Sequence, residues 1–230
     1  MKTIGLIGGM SWESTVTYYQ IINEIVKERL GGYHSAKVLL HSVDFHEIEE
    51  PMSRGDWAKC ADILSVAAQG LEKAGAACIL ICTNTLHKVA PEIERGISIP
   101  ILHIAQAVSE ALKAHGIKKA ALLGTKYTMQ QDFYKDILAS NGIEVIIPDE
   151  ADMELINRVI FQELCLGIIS GQSKQEYLRI IGDLGKKGAQ GVILGCTEIG
   201  LLIRQEDTML PVFDTTLIHA QKAAGFSLDE

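Results

Sequence analysis

Residues 188–197 read GAQGVILGCT, and residues 75–84 read GAACILICTN. Each stretch is an apolar run that opens on a glycine and ends in a short polar segment, a pattern typical of a buried strand. The thiol of Cys196 and the hydroxyl of Thr83 each lie eight residues after the opening glycine. We interpret the two stretches as one strand present in two copies, so that Thr83 and Cys196 occupy matched positions.

The repeat extends to a first and a third strand in each copy. The chain opens with an apolar run into a glycine turn at residues 4–9, and residues 120–125 have the same form. A third predicted strand lies at residues 99–103 and again at residues 210–214. The order of strands is therefore the same on both sides of the middle of the chain.

This repeat also predicts the domain boundary. A tyrosine, Tyr18 or Tyr134, follows the glycine of the first strand by ten residues in each copy. We divide the chain near residue 115 into an N-terminal half, 1–115, and a C-terminal half, 116–230. We leave open that the C-terminus crosses back to the N-terminal half.

Helical patterns separate the predicted strands. They lie at residues 12–30, 56–74, 129–139, 153–166 and 174–187. Strands such as 38–40 and 192–194 are continuously apolar, which is typical of strands buried on both faces of a parallel sheet. The alternation predicts an α/β fold with right-handed crossovers, in which ligands bind beyond the carboxyl ends of the strands.

Polar side chains cluster where the predicted strands end. Their backbone N–H groups and side chains could bind the carboxylates of a small molecule, although hydroxyls at such junctions also cap helices routinely. The candidate binding residues are Met10, Ser11, Asn84, Thr85, Thr125, Thr128 and Thr197.

Cys196 is the candidate catalytic residue. It ends a strand, and the following Thr197 and Glu198 are predicted to open a helix whose N-terminus favours a thiolate. The alternative is a small buried apolar residue. Cys82 is ambiguous, because it adjoins Thr83 and neighbouring strand residues point to opposite faces unless a bulge intervenes.

The other cysteines and three further polar residues complete the candidates. We expect Cys60, Cys78 and Cys165 to be packing residues. His87, four residues past Thr83, could orient or share a proton with a site group, or could be a capping or surface histidine. Asp214 and His219 are weaker candidates.

Composition and missing motifs exclude several classes of protein. A net charge of −8 on 230 residues argues against binding to nucleic acid or to an anionic membrane surface. No apolar run reaches the length of a membrane span, and we expect no signal peptide. The five cysteines lack zinc-ligand spacing and should be reduced thiols. The chain lacks a GxGxxG or Walker A pattern and a GxSxG elbow, which disfavours dinucleotide oxidoreductases and serine hydrolases.

Three motifs together resemble the aspartate/glutamate racemase family. They are GCTE at residues 195–198, NT at residues 84–85 after an apolar strand, and IGLIGGM at residues 4–10. The resemblance covers essentially the whole chain, and GGMSWES at residues 8–14 is most similar to the enterobacterial branch. It implies two pseudo-symmetric Rossmann-like halves, often dimeric, with the active site in the cleft between them. It also implies a racemase without cofactor, in which a cysteine from each half flanks the substrate Cα.

Thr83 departs from the family pattern, since it stands where the first cysteine normally precedes Asn84. A thiol has a pKa of about 8.5 that is easily tuned, whereas a hydroxyl is a far poorer base. The departure is similar to an atypical branch that pairs Thr with Cys and favours the L-enantiomer. It also resembles relatives with one cysteine, notably arylmalonate decarboxylases, in which a single thiol protonates an enolate.

The sequence thus predicts a racemase of L-aspartate or L-glutamate that uses no metal or organic cofactor. Cys196 is the principal acid and base, Thr83 is its partner, and His87 and Glu198 are auxiliary. We expect a cytoplasmic homodimer that binds a small amino acid and neither nucleic acid nor membrane. The alternatives are a single-cysteine isomerase, an arylmalonate-type decarboxylase, and a non-catalytic module that binds an acidic amino acid.

Overall fold

A computed structural model describes residues 1–229 of the chain. Chain contacts divide it into two compact units. Unit 1 comprises Met1–Ile104 together with the C-terminal segment from His219, and unit 2 comprises Ala105–Ile218. The C-terminal segment therefore belongs with the N-terminal part of the chain.

The elements alternate between strands and helices along the chain. The strands are β1 (Ile4–Gly8), β2 (Val38–Ser42), β3 (Cys78–Ile81), β4 (Lys119–Gly124), β5 (Glu144–Ile146), β6 (Gly191–Gly195) and β7 (Val212–Asp214). The α-helices are α1 (Trp12–Leu30), α2 (Phe45–Ser53), α3 (Trp57–Lys73), α4 (Ala90–Glu94), α5 (Ile104–Ala114), α6 (Lys126–Gln130), α7 (Asp132–Ser140), α8 (Glu150–Gln162), α9 (Gly171–Lys186), α10 (Ile199–Leu202) and α11 (Thr215–Ser227). Short 3₁₀ helices lie at Thr85–Val89, Leu164–Leu166 and Gln205–Asp207.

Each unit contains one parallel sheet, and the two sheets have the same plan. Unit 1 has the order β2-β1-β3, and a parallel bridge between Ile79 and Ile101 places a further segment beside β3. Unit 2 has the order β5-β4-β6-β7, with every pair parallel. The segment at Ile101 thus takes the place beside β3 that β7 takes beside β6, which confirms the repeat and the predicted α/β class.

Local capping explains where the helices begin. The predicted helix 12–30 is observed with these bounds as α1, with Ser11 capping its start and Gly31 following its end at φ 69°. The predicted helix 129–139 is instead two helices, α6 and α7, because the backbone is extended at Gln131. Helices α8 and α9 begin three residues earlier than predicted, since Asp149 and Ser170 accept capping hydrogen bonds.

The predicted burial of the strands is confirmed in the centre of a sheet and is wrong at its edge. Every residue of β6 is buried. Strand β2 was expected to be buried on both faces, but it is half-buried to exposed, and the Leu40 side chain is 49% exposed. The reason is topological, because β2 pairs only with β1 and lies at the edge of its sheet.

The core of unit 1 joins the first turns of α1 to the C-terminal helix. Tyr18 and Ile22 of α1 pack with residues of β1 and β3 and with Ala220 and Ala223 of α11. Among residues 1–229, no helix is long and apolar enough to cross a membrane.

Candidate active site

The thiol of Cys196 follows directly on β6 in unit 2, where two strands approach closely. A Cβ at Gly195 would come within 2.8 Å of the Leu123 carbonyl oxygen, and a Cβ at Gly124 within 2.8 Å of the Gly195 carbonyl oxygen. Only glycine fits at either strand end. Thr128 lies beside both glycines. It is therefore next to the turn that begins at Cys196.

A buried carboxylate accepts a hydrogen bond from the Cys196 thiol. The Sγ of Cys196 donates to Glu198 Oε2 at 3.0 Å, and the Thr197 hydroxyl donates to the same oxygen at 2.9 Å. The Glu198 side chain is 3% exposed. Two donors thus meet at one buried carboxylate oxygen.

Two features of this turn disfavour a Cys196 thiolate. Burial raises the pKa of the thiol well above its ordinary value, and the negative charge of Glu198 raises it further. The helix expected after Cys196 is α10, which has only four residues and has Glu198 at its N-cap. The thiol therefore donates its hydrogen to the neighbouring carboxylate.

One of the predicted hydroxyls of unit 2, that of Thr125, serves as a helix cap. Thr125 Oγ1 accepts from the Thr128 backbone N–H at 3.3 Å and lies 3.2 Å from Thr128 Oγ1. Both side chains are buried. The capping alternative is therefore observed at Thr125, next to the strand end that carries the thiol.

Asp214 lies at the end of β7, beside the same turn. A side chain at Gly200 would collide with its carboxylate. The Asp214 carboxylate also accepts from the backbone N–H groups of Thr216 and Leu217 at 2.8 and 3.2 Å. Burial raises the pKa of this carboxyl. Its bonds identify it as the residue that caps α11.

In unit 1, the turn after β1 is held by its own side chains. The Gly9 N–H donates to Thr15 Oγ1 at 2.9 Å, and that hydroxyl donates to the Ser11 carbonyl at 2.8 Å. Met10 and Ser11 are both buried. Ser11 is thus an N-cap of α1, and the Gly9 N–H already has a partner within the turn.

The loop after β3 separates Cys82 from Thr83. Cys82 belongs to the core of unit 1, and its N–H continues the ladder to the Ile7 carbonyl at 2.9 Å. Thr83 is half-buried, and its N–H turns back to the Ile81 carbonyl at 2.8 Å. The two side chains therefore differ in environment, and Thr83 is the one outside the core. Asn84 and Thr85 follow it and are buried.

Three histidines and a tyrosine form a cluster in unit 1, in which all but the half-buried His103 are buried. The His87 ring lies 4.5 Å from that of His103 and 5.6 Å from that of His219, centre to centre. His219 bonds through Nδ1 to the Tyr18 hydroxyl at 2.9 Å and through Nε2 to the Leu102 carbonyl at 2.5 Å. His87 is 1% exposed, so it is not a surface histidine.

The comparisons with known proteins agree with the α/β fold of the chain. The Asp/Glu/Hydantoin racemase family matches the chain over residues 7–223. The chain belongs to this family. A Bacillus subtilis (strain 168) relative, the broad specificity amino-acid racemase RacX, is 25% identical over 96% of each chain.

Solved racemase-family structures have the same fold. A Yersinia pestis structure described as an inferred Asp/Glu racemase is 56% identical, with a TM-score of 0.93 over 99% of this chain and 100% of that one. An aspartate racemase homologue from Pyrococcus horikoshii OT3 is 38% identical, with a TM-score of 0.87 over 99% and 100% of the two chains. The protein is accordingly an isomerase, an amino-acid racemase with two pseudo-symmetric Rossmann-like halves.

Two residues near Cys196 were not singled out as site residues from the sequence. Cys165, expected only to pack, is half-buried and close enough to Cys196 for its charge to raise the pKa of that thiol. Tyr177 lies near both and donates to the Ile156 carbonyl at 3.1 Å. Within the part of the chain that the structure describes, no group of three His, Cys, Asp or Glu side chains could hold a metal ion.

The histidine cluster predicts a loss of stability in acid. Burial lowers the pKa of His103 and of His219 from 6.5 to about 4. Between pH 6.5 and 4 each histidine is neutral when folded but takes up a proton on unfolding, so the free energy of unfolding falls as the pH drops through this range. For the fully buried His219 the loss relative to neutral pH, complete below pH 4, is about 3 kcal/mol.

Urea unfolding at a series of pH values measures this effect. The midpoint should fall steadily as the pH falls from 6.5 to 4. His219→Gln keeps a nitrogen donor for the Leu102 carbonyl and should reduce the dependence of the urea midpoint on pH. His46→Gln, at an exposed site, should leave that dependence unchanged. A midpoint that does not change over this range would contradict the assignment.

Proposed function

We propose that the protein racemises L-aspartate and L-glutamate by proton transfer at Cα on two opposite faces, without a metal or organic cofactor. Cys196 serves one face and Thr83 the other. The observation that carries the proposal is the hydrogen bond from the Cys196 thiol to the buried Glu198 carboxylate. It supplies both a nucleophilic atom and a place for its proton.

The Cys196–Glu198 pair suits removal of a weakly acidic proton. The Sγ proton passes to Glu198 Oε2, and the thiolate then takes the Cα proton, leaving a carbanion delocalised into the substrate carboxylate. A thiol whose pKa is raised by burial is a stronger base once ionised. A general base of this kind contributes about 10²–10⁴-fold to the rate.

Thr83 is the proposed partner because it occupies the position in unit 1 that Cys196 occupies in unit 2. Both residues follow the strand paired with the first strand of their sheet. A hydroxyl can deliver a proton to the much more basic carbanion and then regain one from water, but it removes a proton poorly, because its own high pKa keeps it un-ionised near neutral pH. We therefore expect L-substrates to turn over faster than D-substrates.

The polar ends of the substrate require donors around both strand ends. We propose that Met10, Ser11, Asn84, Thr85, Thr125, Thr128 and Thr197 supply them. All seven are buried or nearly so and lie at carboxyl ends of strands, where ligands bind in parallel sheets. Aspartate and glutamate are the first substrates to test, because racemases of these two amino acids give the family its name, whereas RacX is named for broad specificity.

Chiral chromatography tests the function directly. The protein, dialysed against a chelator, is incubated with each L-amino acid, and the D-enantiomer is measured over time. We expect D-aspartate or D-glutamate to form. Carbon dioxide released from an arylmalonate would instead support the decarboxylase, and tight binding with no interconversion would support the binding module.

Sedimentation velocity tests the homodimer that the sequence predicts. Fractionation of cells tests the predicted cytoplasmic location.

Thr83→Cys should narrow the difference between the enantiomers. A thiol in place of the hydroxyl provides a base whose pKa lies nearer the working pH, so D-substrate turnover should rise by about tenfold or more. The measurement is kcat and KM for both enantiomers in wild type and variant. Equal wild-type rates for the two enantiomers would show that Thr83 causes no difference between them. A large rate difference that Thr83→Cys leaves unchanged would show that Thr83 is not its source.

A further inference from the structure

The His87 ring bonds to two backbone groups of opposite kind. Its Nδ1 lies 2.7 Å from the Thr83 carbonyl oxygen, and the Ile104 backbone N–H donates to its Nε2 at 3.2 Å. A carbonyl can only accept and an amide N–H can only donate. The ring must therefore carry its hydrogen on Nδ1 and a lone pair on Nε2, and both partners require this same tautomer.

The surroundings of His87 keep the ring neutral and fixed. Burial, together with the neighbouring His103 and His219, lowers the pKa of His87 well below its usual value. His219 is itself held at both ring nitrogens, by Tyr18 and by the Leu102 carbonyl. The ring thus lies beside a His219 ring that is itself held, and its own two hydrogen bonds set its orientation.

Thr83 lies just beyond the part of the sheet that could hold it. Strand β3 ends at Ile81, and the ladder to β1 ends with the bond from Cys82 to Ile7. The His87 bond reaches past this point and holds the carbonyl of Thr83 itself. Fixing that peptide group fixes the direction of the Thr83 Cα–Cβ bond, and hence the region its hydroxyl reaches.

We propose that His87 is a positioning residue, which through its Nδ1–H bond to the Thr83 carbonyl places the Thr83 hydroxyl for proton transfer on its face of the substrate. The inference rests on the proposed function of Thr83. It gives His87 no contact with substrate, because both ring nitrogens are occupied within unit 1. His87 acts on the reaction through Thr83 alone.

Two amide variants separate this role from simple packing. In His87→Asn the side-chain NH₂ takes the place of Nδ1 and keeps the donor to Thr83, while the acceptor for Ile104 is lost. In His87→Gln the side-chain oxygen takes the place of Nε2 and keeps that acceptor, while the bond to Thr83 is lost. Each variant removes one of two buried hydrogen bonds, so a role in packing alone predicts similar effects. Tyr18→Phe is the control, because it removes the bond to His219 and leaves His87 with both of its own.

The readout is Cα deuterium exchange from each enantiomer, followed by NMR in deuterated water. We expect His87→Gln to slow exchange from the D-enantiomer by about tenfold, since a displaced catalytic group loses rate steeply with distance, and to change exchange from the L-enantiomer little. His87→Asn should restore most of the D-enantiomer rate, and Tyr18→Phe should leave the ratio of the two rates unchanged. The same ratio in the Asn and Gln variants would overturn the proposal.

A second measurement does not depend on activity or on the folding of a variant. In the ¹⁵N-labelled wild-type protein, His87 should show a protonated Nδ1, with a coupling across the hydrogen bond to the Thr83 carbonyl carbon. A protonated Nε2 would overturn the proposal even in an active enzyme. A wild-type protein with this tautomer but no Cα exchange would instead contradict the proposed function, and with it the kinetic role of His87.

Discussion

Cys196→Ala should abolish Cα proton exchange from L-aspartate and L-glutamate, lowering the rate by about 10⁴-fold, the upper end of what a positioned general base contributes. The variant removes the atom that takes the proton and leaves Glu198 without a path to Cα. The fold should survive, because Thr197 still donates to the Glu198 carboxylate. The measurement is the initial rate of exchange, with circular dichroism to establish folding.

Cys165→Ala is the matched control for this experiment. It removes a second thiol from the surroundings of Cys196 without touching the bond to Glu198. Its exchange rate should stay close to that of the wild type. Near-normal exchange in folded Cys196→Ala, or equal losses in the two variants, would take Cys196 out of the mechanism.

Glu198→Gln is expected to lower L-substrate turnover by about 10²-fold near neutral pH, since the amide keeps the shape of the side chain but cannot take the thiol proton. The charge of Glu198 raises the pKa of Cys196, so its removal lets the thiolate form by direct ionisation at a lower pH. The loss of activity should therefore shrink as the pH rises. A pH–rate profile of wild type and variant measures both effects.

Glu163→Gln provides the comparison for a carboxylate lost elsewhere in unit 2. Glu163 accepts a hydrogen bond from the Ser173 hydroxyl at 2.6 Å. The Cys196 thiol donates to Glu198 instead. Its pH–rate profile should match the wild type. A Glu198→Gln loss that is the same fraction at every pH would argue for damage to the fold instead of a lost proton acceptor.

Local sequence signals predicted the framework of this protein well. The repeated apolar runs at residues 75–84 and 188–197 predicted β3 and β6, because strand composition and the preceding glycine turn are properties of a short segment. Helix α1 was predicted to the residue for the same reason, with a capping serine before it and a glycine after it. Helix α2 was not predicted, although Asp44 caps its start and Gly55 follows its end, because Pro51 inside it is atypical of a helix interior.

Burial and side-chain direction were harder to predict, since both depend on neighbours distant in sequence. Strand β2 has the composition of a central strand, and only the sheet order shows that it is an edge. Glu198 stands two residues after Cys196, yet nothing in the sequence tells whether its carboxylate turns back to the thiol. Tyr18 and His219 are hydrogen-bonded across 201 residues of chain, so no spacing rule could have joined them.

The most direct test of the two-face account is the isotope content of the product at the start of the reaction. L-Aspartate, or L-glutamate if it is the better substrate, is incubated with the enzyme in deuterated water, and the D-enantiomer is separated and analysed by mass spectrometry. If Cys196 removes the proton and a group on the other face delivers a different one, the first D-product formed should carry deuterium at Cα. A D-product that keeps the substrate's own proton, or no D-product at all, would contradict the account.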